Sequence, residues 1–156
     1  MKQDTLTPEV LLASFIAKFS LESATLIRAV RRKMRARLPN AIEMVYDNYN
    51  FLVIGYSPTQ RPLDAIFSIA AQARRITLFF LQGADVPDPR GLLRGTGKVV
   101  RGMRLAGAAT LDRPEVRSLM KAALERARTP MDPTTAHRLV IRAVSTKQRP
   151  RRLEPR

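Results

Sequence analysis

Four arginines, Arg28, Arg31, Arg32 and Arg35, recur at three- and four-residue spacing between Leu26 and Leu38. The spacing predicts a helix with Leu26, Ile27, Val30, Met34 and Leu38 on one side. The opposite side then carries those four arginines with Lys33 and Arg37. A guanidinium is always charged and offers paired N–H donors that match the oxygens of phosphate and carboxylate, so such a row suits anion recognition. A second basic group, Arg149, Arg151 and Arg152, stands in the proline-containing tail KQRPRRLEPR. Contacts from such residues to a nucleic-acid backbone need no base-specific geometry and give salt-sensitive affinity.

The segment Gly91-Leu92-Leu93-Arg94-Gly95-Thr96-Gly97-Lys98-Val99 invites comparison with a phosphate-binding loop. That motif, G-x-x-x-x-G-K-[ST], needs its first Gly where Leu92 stands and its hydroxyl where Val99 stands, so both diagnostic positions fail. What remains is a nest of Gly95, Thr96 and Gly97 amides flanked by Arg94 and Lys98, set against a glycine-permissive connection with positive φ. Tyr46 and Tyr49, near the first predicted hairpin, join Arg94, Gly95, Thr96 and Lys98 as candidates for a pocket between sheet and helices.

Other chemistries find few parts. The chain has one histidine, His137, and no cysteine, and neither Asp85 with Asp88 nor Glu43 with Asp47 has the density of a calcium loop. No catalytic set is expected, since a nucleophile needs a base oriented by a third group and the lone histidine lies far from any serine elbow. No metal site and no cofactor are expected. Asp88 reads as a turn residue before Pro89, and His137 as a helix-surface residue.

The formal net charge of +15 favours encounter with polyanions, nucleic acid first and anionic lipid surfaces second. An arginine-rich composition puts the same charge on any solvated surface, so net charge argues for association and not for specificity. The 156 residues suit one domain, and 45% apolar content is ordinary for a globular chain. No apolar run is long enough to span a bilayer, and neither a secretory signal nor a disulfide framework is visible. A cytoplasmic setting is expected.

Thr7-Pro8-Glu9 starts a helix with Leu11, Leu12, Phe15, Ile16 and Phe19 at helical spacing, and Ser20 caps the basic helix that ends before Pro39. The first of these helices is apolar enough either to pack on the core or to meet a protein partner or a second copy of the chain. Strands are expected over residues 42–46, 51–56, 63–71 and 76–81 and near Met103, joined by turns such as Asp47-Asn48-Tyr49-Asn50. Short connections make the sheet an antiparallel meander. Asp112-Arg113-Pro114-Glu115 reads as a capping box opening a helix with Val116, Leu119, Met120 and Ala123 inward. A last helix is expected from Asp132-Pro133, burying Ala136, Leu139, Val140, Ala143 and Val144, and then a flexible tail over residues 147–156.

The run Leu78-Phe79-Phe80, Gly83, Asp88 and Gly91-Leu92-Leu93-Arg94-Gly95-Thr96-Gly97-Lys98 resembles the YdhG-like family of uncharacterised bacterial domains. So does the entry from Arg32 through Leu38-Pro39-Asn40-Ala41-Ile42-Glu43 to Tyr46, and the helix after Asp112. The resemblance covers roughly residues 23–128. It implies an α+β fold, an antiparallel sheet of about five strands with N- and C-terminal helices packed on one face. It implies no settled activity, although iron handling is linked to such domains by analogy with frataxin-like proteins. Where relatives follow the tyrosine with glycine and then proline, this chain has Tyr46-Asp47-Asn48-Tyr49-Asn50.

The expectation is one YdhG-like α+β domain over residues 1–146 with a basic tail. Its expected role is non-enzymatic engagement of nucleic acid or another polyanion. The alternatives are a small-ligand or metal-handling domain and a protein-interaction subunit.

Overall fold

The computed structural model describes residues 6–153. Helix α1, Pro8–Ile16, begins as its cap predicts: Thr7 Oγ1 accepts the Val10 N–H at 3.2 Å, and Pro8 fills the first position. Ser20 caps helix α2, Leu21–Arg37, by accepting the Ser23 N–H, and Leu38 leaves helical geometry before Pro39. Ala24, Ile27, Val30 and Met34 form the buried stripe of α2. Leu12, Phe15, Ile16 and Phe19 are also buried, so of the two roles expected for the N-terminal helix the structure shows packing on the core. Its apolar side is spent on the protein's own core. Among the described residues, no helix is long and apolar enough to cross a membrane.

Among the described residues the sheet has six strands, the first five each beside their neighbours in sequence and the sixth on the open side of the first. Strands β1 (Ile42–Asp47), β2 (Leu52–Ser57), β3 (Phe67–Gln72), β4 (Arg75–Phe80) and β5 (Arg101–Arg104) form the expected antiparallel meander. The third strand starts later than expected because Pro62–Asp64 turns as a short 3-10 helix. There Thr59 donates to the Asp64 carboxylate at 2.6 Å. Leu52, Ile54, Tyr56, Phe67, Ile69, Leu78 and Phe80 point into the main core under the helices. Ile42, Met44 and Ala65 form a smaller cluster with Tyr46, Leu81 and Val140.

The expected last helix is a strand. Residues Arg138–Val144 form β6, parallel to β1 with a bulge between Val45 and Tyr46. Asp132 does not cap a helix; its Oδ1 accepts from the Thr134 N–H and Oγ1–H in a local turn. A short apolar run such as Leu139-Val140-Ile141 fits either period, and the open edge of β1 decides between them. The parallel direction follows from the long return of the chain from β5 through helix α3, Pro114–Glu125.

The capping box is also corrected. Arg113 is the N-cap of α3 and makes no side-chain cap bond, while Glu115 pairs with Arg113. Asp112 is drawn away by α2, accepting from Lys33 Nζ at 2.6 Å and Arg37 Nη2 at 2.7 Å. Two full cations outcompete one backbone amide.

The tail, as far as residue 153, is docked and not free; residues 154–156 lie outside the described ones. The cause is Asp47, a fully buried carboxylate at the end of β1. Lys18 Nζ reaches its Oδ2 at 2.7 Å, and Arg151, itself buried, reaches Oδ1 at 2.9 Å while also donating to the Asn48 carbonyl. The Arg151 guanidinium lies over the Phe19 ring. Burial pushes the Asp47 carboxyl up, but Lys18, Gln148 and Arg151 outweigh it and hold the group below the usual carboxylate range. A carboxyl depressed by folding contributes stability above its unfolded value, about 4, and loses it as pH falls through the folded value. Folding stability is therefore expected to decline below about pH 4, with Asp47→Asn flattening part of that decline in acid titrations. Arg151→Ala should cost about 2–3 kcal/mol in urea unfolding at neutral pH, because Lys18 alone then faces a buried charge.

Candidate anion-binding cleft

The turn of α2 places its basic residues in two groups. Lys33 and Arg37 face Asp112, as described, while Arg28, Arg31, Arg32 and Arg35 lie along the other flank of the apolar stripe. They line a cleft of about 550 Å³ together with Ile16 of α1, Ala36 and Pro39 at the end of α2, and His137 at the entry to β6.

Glu43 sits under this cleft, with none of its side chain accessible. Alternation along β1 turns Glu43, Val45 and Asp47 toward the helices and Ile42, Met44 and Tyr46 toward the smaller cluster on the other face. Arg31 grips Glu43 bidentately, Nε to Oε2 at 3.0 Å and Nη2 to Oε1 at 2.9 Å. Its other donors bind Glu9 of α1 at 2.9 and 3.1 Å, so one guanidinium ties two carboxylates together. Burial depresses the Arg31 guanidinium, but the bonds to Glu43 and Glu9 reverse this and raise its proton affinity above normal. The Arg31 bond likewise holds the Glu9 carboxyl below its ordinary value. Tyr56, fully buried on β2, donates its hydroxyl to Glu43 Oε2 at 3.0 Å. Burial and then the Glu43 charge push the phenol well up, so it stays a donor.

His137 completes the ring. Its Nε2 is 2.7 Å from Glu43 Oε1, and its Nδ1 is 3.3 Å from Arg35 Nη2. Arginine only donates, so the Arg35 contact makes Nδ1 the acceptor and Nε2 the protonated nitrogen that donates to Glu43. Arg35 Nε also lies 3.7 Å from the same carboxylate. Arg28 and Arg32 differ from these two: both are exposed, and neither has a carboxylate partner among the described residues. Among the described residues, the cleft thus combines Arg31, fixed by Glu43 and Glu9, and a loosely held Arg35 with two arginines that hold no carboxylate.

The remaining expected site residues are not gathered there. Arg149 lies over the Tyr49 ring at the β1–β2 turn, Arg151 is committed to Asp47, and Arg152 donates to the Ala17 and Lys18 carbonyls at the end of α1. Those last contacts complement the negative end of the helix dipole. The structure does not form the expected pocket from Tyr46, Tyr49, Arg94, Gly95, Thr96 and Lys98. Tyr46 packs beside Ile42 and Met44, while Arg94 pairs through its backbone with Gly102 of β5, with three strands between β1 and β5. Gly95 has φ +136°, the glycine-permissive connection. The loop is tied internally: Asp88 accepts the Leu92 and Leu93 N–H groups, and Arg101 donates to the Gly97 and Val100 carbonyls. Carbonyls, not amides, meet charge at Gly97, which removes the basis for a nest there.

The sequence alone placed none of Glu9, Glu43 and Tyr56 in this site and put His137 on a helix surface. One signal was available: Glu43 and Asp47 flank Val45 on the same strand face, so if Val45 is core, both acids require cations from the covering helices. Among the described residues, no group of three or more His, Cys, Asp or Glu side chains is placed to hold a metal ion. No family model, no curated protein and no solved structure matches this chain.

Proposed function

We propose that the protein is a non-enzymatic anion-binding module that engages the phosphates of nucleic acid through the α2 cleft. One observation carries this reading: among the described residues Arg28 and Arg32 hold no carboxylate, and they stand beside Arg31, which Glu43 fixes, and the loosely held Arg35. Fixed guanidiniums lose less freedom on binding than surface lysines, and uncommitted ones surrender no existing ion pair. The net charge of +15 supports the same reading by drawing polyanions to the surface. Helices covering one face of a mainly antiparallel sheet agree with the YdhG-like resemblance, which we keep as part of the proposal. Iron handling, the alternative attached to that resemblance, is disfavoured by a cleft whose uncommitted groups are cations.

The test is titration of labelled mixed-sequence single-stranded DNA and RNA at several salt concentrations. Neutralisation of at least two phosphate charges gives a log–log slope of about −1.4 or steeper. Absence of binding at moderate salt, or binding indifferent to salt, would contradict the proposal.

A further inference from the structure

We propose that the cleft is a subsite for a phosphomonoester dianion, the terminal phosphate of a nucleic acid or of a small phosphorylated molecule, rather than a track for internal diesters. The inference rests on reading the cleft as an anion site and specifies the charge and shape of its ligand. Charge comes first. Among the described residues, Arg28, Arg31, Arg32 and Arg35 face the carboxylates of Glu43 and Glu9 alone, so the four guanidiniums exceed their acids by two charges. A phosphomonoester near neutral pH carries about −1.5 to −2, which matches; an internal diester carries a single charge.

Donor count points the same way. A monoester presents three terminal oxygens where a diester presents two, and Arg28 and Arg32, one helical turn apart, can each offer a fork of donors. Arg35 is half exposed and holds Glu43 only at 3.7 Å, so it can also turn an N–H into the cleft without releasing Arg31. Shape is the third argument. The site is concave, about 550 Å³, walled by Ile16 and Pro39 as well as by the arginines. That volume lies within the range of small-ligand pockets, about 300–1,000 Å³. A continuous backbone would run along the exposed face of α2 and would not need the walls.

The experiment compares one oligonucleotide sequence with a 5′-phosphate and with a 5′-hydroxyl, a nucleoside monophosphate with its nucleoside, and inorganic phosphate with chloride at matched ionic strength. Binding is read by calorimetry and by displacement. The 5′-phosphorylated strand is expected to bind at least about tenfold more tightly, and inorganic phosphate to displace it better than chloride. In Arg28→Ala/Arg32→Ala the preference should vanish, while Arg149→Ala should retain it. Equal affinities for the two strands with no displacement by phosphate overturn the inference and leave the nucleic-acid reading standing. Binding of the nucleoside monophosphate and of phosphate, with neither strand bound, overturns the nucleic-acid reading and supports the subsite for a small phosphorylated molecule.

Discussion

Replacing Arg28 and Arg32 together by alanine is expected to weaken oligonucleotide binding about a hundredfold and to leave folding stability within about 0.5 kcal/mol of the parent. The asymmetry follows from their positions. Both side chains are exposed and hold no carboxylate among the described residues, so their removal breaks no internal ion pair. Each charge-assisted bond to phosphate contributes about 1.5–3 kcal/mol, and two such losses give the hundredfold figure at the lower end of that range. The salt slope should become shallower by about 1.4 for a single strand. Filter binding across salt concentrations, paired with urea unfolding of the same variant, reads both quantities. Loss of stability without loss of binding would assign these arginines a structural role instead.

Glu43→Gln is expected to show the opposite pattern, with a destabilisation of about 3–5 kcal/mol. The carboxylate is inaccessible and accepts from Arg31, Tyr56 and His137 together, with Arg35 nearby. The amide keeps the volume but removes the charge, and its NH₂ must face donors. Arg31 retains only the half-exposed Glu9, so a partly buried guanidinium is left short of its main partner. Equilibrium unfolding in urea checks the magnitude. A change below about 1 kcal/mol would mean that the network tolerates a neutral centre, and Glu43 could not then be what fixes Arg31. Phosphate affinity measured on the surviving folded fraction should fall as well, since Arg31 would be released from its fixed position.

Much of this architecture could be read from the chain. Thr7 and Ser20 cap as expected, the basic row of α2 lines the cleft, and the meander from β1 to β5 follows from short connections between alternating runs. The failures share a physical origin in long-range pairing. Arg138–Val144 forms a strand because β1 offers an open edge, which is invisible in a seven-residue window. Asp112 leaves its expected capping role because Lys33 and Arg37, distant in sequence, bind it. The tail docks because Asp47 is buried and needs Arg151, although its composition resembles that of a mobile segment.

The candidate site was legible by half. A row of arginines announces itself through spacing, whereas the acid that fixes them is one glutamate in an otherwise apolar strand. His137 could be placed only once β6 was known to lie beside β1, since that pairing brings it over Glu43.

The central claim is that α2, and not the tail, presents the anion site. Arginine Nε–Hε resonances followed by NMR during titration with a 5′-phosphorylated oligonucleotide test it most directly. Arg28 and Arg32 are expected to shift first and furthest, with smaller changes at Arg35, while Arg149 and Arg152 stay in place. Shifts confined to Arg149 and Arg152, with the α2 arginines unmoved at saturation, would contradict it.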